Sequence, residues 1–121
     1  VSATQGFQGG NIAPGLKMRL TVLRQMTKKL PAVEVEENAF LPLFGKNTNE
    51  AIAAGVVRGI IFEVKGYMRA LTDQGTPFVT FVTGGNAPYI LGNLQTEVRH
   101  EPHLVLKGLN SILEFNKAEK A

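Results

Sequence analysis

Cysteine is absent from the 121 residues, which excludes a disulfide framework and any thiolate metal site. Aspartate is nearly absent. Of ten acidic residues nine are Glu, and Asp73 is the single Asp. Phosphoryl transfer draws on carboxylates to hold magnesium and to position the attacking hydroxyl. Asp73 lies in Thr72-Asp73-Gln74-Gly75-Thr76-Pro77, a string of turn formers, and reads as a turn residue rather than a catalytic one. No apolar run approaches the roughly 20 residues that a membrane span needs. No charged, apolar and small-residue series at the start reads as a secretory signal. These absences fit a cytoplasmic protein. The first residue is Val1 rather than Met, and the expectation is a piece of a longer chain.

What is present is ordinary for one globular domain: 44% apolar and 19% charged residues, enough to bury a core. The net charge of +3 is concentrated in Lys17, Arg19, Arg24, Lys28 and Lys29. An excess this small reads as a solvated helix face, and no nucleic-acid partner is expected.

Periodicity predicts the elements. Residues 1–14 read as a strand end or hairpin arm. Pro14 suits the first turn of a helix, and Leu16, Leu20, Leu23 and Leu30 keep helical spacing up to the stop at Pro31. Residues 32–44 read as an irregular connection. Asn47 and Glu50 have capping-box spacing and open a long helix running to about Leu71. Within it Gly55 and Gly59 lie one turn apart, as if to admit a close neighbour. Pro77 to Val82 reads as a strand covered on both faces, because its uncharged run does not alternate. A second helix can begin at Asn86-Ala87-Pro88, and a short strand around 96–98 can follow. A terminal helix from Pro102 should turn Leu104, Leu109, Ile112 and Leu113 inward, with a frayed tail over 117–121. This alternation argues an α/β layered domain with parallel strand pairs.

Thr83-Gly84-Gly85 falls at the carboxyl end of the predicted strand, the edge at which open α/β sheets bind ligands. Paired glycines there either close a tight turn or let a flat ligand meet the backbone. Gly45-Lys46-Asn47-Thr48 is not a phosphate loop, since Phe40 stands where the first Gly is required and Asn47 where Ser or Thr must follow Lys. It still places a helix N-terminus where a hydroxylated or anionic group can be met. His100 and His103 flank Glu101 without further ligands, so no metal site is predicted.

Four segments together resemble the C-terminal half of type III pantothenate kinases. They are Gly9-Gly10-Asn11-Ile12-Ala13-Pro14-Gly15-Leu16 with its continuation to Pro31, Gly45-Lys46-Asn47-Thr48 with Glu50-Ala51-Ile52 and Gly55-Val56-Val57-Arg58-Gly59, Thr83-Gly84-Gly85-Asn86-Ala87, and Pro102 to Leu109. The resemblance implies an actin-like kinase of two ribonuclease-H-like domains around a nucleotide cleft. Residues 1–121 would form most of the second domain. It implies transfer of the ATP γ-phosphoryl group to the primary hydroxyl of pantothenate, the first step towards coenzyme A. It also implies a homodimer, magnesium, and a monovalent cation, potassium or ammonium. Thr83, Gly84, Gly85 and Asn86 would be the nucleotide-binding residues, with Asn86 standing where the family pattern leads one to expect aspartate. Thr48 matches a threonine that contacts pantothenate. The family's aspartate-glycine, glycine-aspartate-arginine and aspartate-glycine-threonine segments have no counterpart here, so no catalytic residue is expected in this chain. A sugar or acetate kinase of the same superfamily would share the glycine pair but not the Gly-Lys-Asn-Thr segment. A transcriptional accessory protein of the same family would use the basic helix instead.

Overall fold

A computed structural model of the chain describes residues 1–120. Four helices and one small sheet follow in the order α1 (Leu16–Gln25), α2 (Thr48–Asp73), β1 (Phe81–Val82), α3 (Ala87–Leu94), β2 (Arg99–His100) and α4 (Leu104–Lys120). β1 and β2 pair in parallel, with Phe81 opposite Arg99 and Val82 opposite His100. The ladder is carried by Arg99 N–H donating to Thr80 O at 2.8 Å and Glu101 N–H to Val82 O at 2.9 Å. A parallel pair needs a crossover connection, and α3 supplies it. The architecture is mixed α/β, in keeping with the sequence-based expectation. No helix among the described residues is long and apolar enough to cross a membrane.

The long helix α2 is the centre of the molecule because its apolar positions outnumber those of any other element. Val57 and Ile61 are fully buried, and with Val56, Leu16 of α1 and Leu94 of α3 they form the core. α1 and α3 therefore pack on α2. Leu20, Leu23, Tyr89 and Ile90 extend the cluster as half-buried neighbours. Arg58 of α2 holds the irregular segment 39–44 across this core: its Nε donates to Pro42 O at 2.9 Å, and its guanidinium also reaches Leu41 O.

The start of α2 is set locally. Asn47 is the N-cap and its Oδ1 accepts the Glu50 N–H at 2.9 Å, as the Asn47/Glu50 spacing predicts. The returning carboxylate of Glu50 takes the Lys46 N–H, also at 2.9 Å, one residue earlier than in the usual reciprocal box. Asn47→Ala is expected to cost about 1 kcal/mol, the usual loss for a side-chain cap, and Asn47→Asp to cost far less. A shift in urea unfolding midpoint checks both, and an unchanged midpoint for Asn47→Ala would show the cap to be idle.

Several expectations from the sequence require correction. α1 ends at Gln25, not near Leu30. Thr27 competes for its backbone, since the Thr27 hydroxyl donates to Leu23 O and accepts the Leu30 N–H. Such a local alternative ends helices readily. Residues 1–14 form no hairpin arm but a single antiparallel bridge, Ser2 to Gly6. The strand at 77–82 shrinks to Phe81–Val82, and Phe78, Val79 and Phe81 are exposed. Their pattern suits a sheet covered on both faces, whereas the sheet here has two strands. The second strand lies at Arg99–His100 rather than 96–98, because pairing with β1, not local propensity, decides where it forms. α2 runs two residues past Leu71, so Asp73 is its last residue rather than a loop aspartate and pairs with Arg69 at 3.0 Å, i to i+4. Gly55 admits no close neighbour, and only at Gly59 does another element approach, through the Arg19 guanidinium. Finally, α4 forms as expected and stays helical to Lys120, yet none of its described residues is buried. Leu104, Leu109, Ile112 and Leu113 do not turn inward.

Candidate functional site

Thr83, Gly84 and Gly85 leave β1 at the carboxyl edge of the parallel pair and are exposed. Gly84 has φ +93°, a conformation that costs a side-chain-bearing residue about 1–2 kcal/mol. No atom lies within 4 Å of where a Cβ would sit at Gly84 or Gly85. The glycine pair therefore presents bare backbone to open space. The turn closes with Ala87 N–H donating to Gly84 O at 3.2 Å, and α3 starts there with Pro88 in its first turn.

Asn86, half-buried, is the N-cap of α3 but makes no capping hydrogen bond. Its side chain faces Gly15, where an added Cβ would lie 3.5 Å from Asn86 Nδ2. Asn86 thereby joins a cleft of about 280 Å³ between the 11–15 loop, α1, α2 and α3, lined also by Asn11, Pro14, Arg19, Glu63 and Tyr67. Arg19 ties this cleft together. Its Nε donates to Pro14 O at 2.7 Å, and its guanidinium pairs with Glu63. Across the cleft Asn11 Nδ2 donates to Tyr67 OH at 3.1 Å. The Arg19–Glu63 ion pair is partly exposed, so its contribution to stability is small. Its geometric effect is to pin the Gly9–Leu16 loop beside the glycine turn.

Thr48 lies elsewhere. It lines a larger, mainly apolar groove of about 610 Å³ between α1 and α2, with Val22, Leu23, Ile52, Gly55 and Val56. The structure does not bring Thr48 into the cleft that holds Asn86. Arg19 is common to the linings of both. Reading Arg19 as one more cation on a solvated helix face missed this position. Glu63, Tyr67 and Asn11 were also missed, because their partners are 44 and 56 residues away in sequence. The one local signal was Gly59, whose missing side chain admits the guanidinium.

Among the described residues no group of three or more His, Asp or Glu could hold a metal ion. Glu101 instead closes the β2–α4 turn. Its carboxyl is held below the usual carboxylate value chiefly by the hydrogen bond from Lys107 Nζ, opposed by desolvation and aided by the His103 backbone N–H.

A sequence profile described as Type III pantothenate kinase matches residues 1–70. The type III pantothenate kinase of Phocaeicola vulgatus is 39% identical over 116 residues, which cover 96% of this chain and 47% of that protein. The enzyme of the same name from Bacteroides fragilis is 43% identical over 110 residues, 91% of this chain and 44% of that protein. That from Cytophaga hutchinsonii is 41% identical over 110 residues, 91% and 46% respectively. The chain spans about half the length of the curated relatives it matches.

Proposed function

Because the chain belongs to the type III pantothenate kinase family, we propose that it is the nucleoside-binding half of an ATP-dependent pantothenate kinase, acting in the first step towards coenzyme A. The carrying observation is the Thr83-Gly84-Gly85 turn. Bare backbone with open space above it, at the carboxyl edge of a parallel pair, suits a flat adenine or ribose face. Asn86 would orient the nucleoside from the adjoining cleft, and the Arg19–Pro14–Glu63 contacts would keep that cleft open. Thr48, at the N-terminus of α2, would meet pantothenate in the α1–α2 groove. Residues 1–121 would be most of the second of two ribonuclease-H-like domains in a cytoplasmic homodimer.

The chemistry itself would come from the other half. ATP supplies the phosphoryl group. Magnesium and potassium or ammonium would balance its charge, but the donors described here do not fit a divalent ion. The single Asp is bound to Arg69 on the far end of α2. No step is assigned to a catalytic residue of this chain. Of the basic residues of α1, Arg19 is engaged with Glu63.

The test compares a parent-length protein with the 121-residue chain in ATP-dependent phosphorylation of pantothenate, with and without potassium. Potassium-dependent turnover by the long form alone is expected. Gly84→Val in the long form should raise KM for ATP roughly tenfold, the equivalent of about 1.4 kcal/mol of strain and lost access. Turnover by the 121-residue chain, or none by the long form under any cation, would refute the assignment.

A further inference from the structure

Arg19 is the one residue common to the linings of the cleft that holds Asn86 and the groove that holds Thr48. The other cations of α1, Lys17 and Arg24, are exposed, whereas the Arg19 side chain keeps only 22% of its surface. A cation withdrawn from water gains more from a nearby anion than one on the surface does. A guanidinium has five N–H donors. Nε donates to Pro14 O, and Nη2 to Glu63. Among the described residues nothing accepts from Nη1. The lack of a side chain at Gly59 leaves that end uncovered, since a Cβ there would stand 3.5 Å from Nη1. Two donors thus hold the side chain still, and the others are left for a ligand.

The two cavities differ in charge. In the cleft Glu63 balances Arg19, which suits a neutral nucleoside. In the groove Arg19 is the only charged residue of the lining. An anionic group is therefore attracted to the groove side of the guanidinium. Thr48 and Gly59 are eleven residues apart in α2, about 16 Å along its axis. With its carboxylate at the N-terminus of α2, where unpaired N–H groups favour an anion, pantothenate in the groove would point its hydroxyl end towards Arg19. A nucleoside over Gly84 and Asn86 would extend its phosphates to the same place.

We infer that Arg19 binds the phosphate chain of the nucleotide where it passes from the cleft to the groove, with its Nη1 donors on phosphate oxygens. The inference deepens the kinase proposal and rests on its nucleoside site. Arg19 forms no bond and moves no proton in this role. It neutralises charge and fixes direction. A guanidinium does this better than an ammonium, because its planar fork offers parallel donors to phosphate oxygens. Glu63 repels the same phosphates and so limits how tightly they are held.

Equilibrium binding of ATP and of adenosine to the parent-length protein separates this role from a structural one. Arg19→Ala should weaken ATP binding on the order of 10- to 100-fold, the effect of losing charge-assisted hydrogen bonds, and leave adenosine binding unchanged. Arg19→Lys should fall between. Glu63→Gln keeps the shape and removes the repulsion, so it should tighten ATP binding. An equal loss for ATP and adenosine in Arg19→Ala would show that Arg19 merely shapes the cleft and would overturn the inference. So would weaker ATP binding in Glu63→Gln, or a loss confined to pantothenate, which would make Arg19 the partner of that carboxylate. Failure of the unaltered protein to bind adenosine would overturn the nucleoside site and the role of Arg19 with it. An ATP-selective loss in a protein that does not phosphorylate pantothenate would overturn the choice of acceptor and leave Arg19 in its role.

Discussion

Gly45→Ala is expected to destabilise the protein by about 3 kcal/mol or more, the upper end of what overpacking costs. The reason is space rather than conformational freedom, since Gly45 is not among the residues at positive φ. A Cβ there would overlap the backbone of Glu50 and Ala51. Backbone in the first turn of a helix cannot swing aside as a side chain can. Relief would require moving the 45–47 turn away from α2, which breaks the Asn47 cap and the Glu50 to Lys46 hydrogen bond together. Gly55→Ala makes the matching control. Gly55 lies in the same helix with nothing near its missing Cβ, so alanine there should stabilise by about 0.5–1 kcal/mol through helix propensity. The same chemical change ten residues apart should therefore act in opposite directions. Urea unfolding midpoints of the parent-length protein read both, and a Gly45→Ala midpoint equal to wild type would disprove the packing account.

Asn93→Ala comes next in size, at about 2–4 kcal/mol, because a buried donor and a buried acceptor lose their partner at once. Asn93 is the single buried polar residue among those described, 2% exposed. Its Nδ2 donates to Ala39 O at 2.6 Å, and its Oδ1 accepts the Leu41 N–H at 3.1 Å. This clasp and Arg58 hold the irregular 39–42 segment over α2 and α3. Asn93→Asp should be no milder: it keeps the acceptor for Leu41, loses the donor for Ala39, and places a charge in a buried position. Faster amide exchange at Leu41 in Asn93→Ala, with the unfolding midpoint lowered, is the expected pair of results. An unchanged Leu41 amide would show that the clasp does not hold the segment. Since α3 begins at the glycine turn, loosening its far end should also disturb Asn86.

The features that were legible in the sequence are those decided within a few residues. The Asn47 cap depends on a side-chain amide oxygen three residues before an N–H that needs an acceptor, and the structure places both as the spacing predicts. The glycine turn follows a strand and opens a helix because Gly84 tolerates φ +93° and Pro88 suits a first helical turn. The amphipathic pattern of α2 marks a central helix because it recurs over 26 residues. The end of α1 was also decided locally, by the Thr27 hydroxyl, although the leucine spacing continues to Leu30.

Other features depend on partners far away in sequence. Pairing with β1 put β2 at Arg99–His100, directly after the region that the local pattern favoured. Arg19 became part of a cleft through Glu63, 44 residues on, and Asn93 became a clasp through Ala39 and Leu41, more than 50 residues back. No spacing rule reaches such distances. α4 shows the division most plainly. Its sequence determines that it is a helix with a wide apolar face, since propensity and periodicity are properties of the segment. Which surface covers that face depends on what the rest of the chain brings near it. By itself the sequence determined the helices, the cap and the glycine turn. Only the tertiary structure decided that Thr48 and Asn86 line separate cavities with Arg19 between them, because that outcome rests on packing α1 and α3 against one helix, α2.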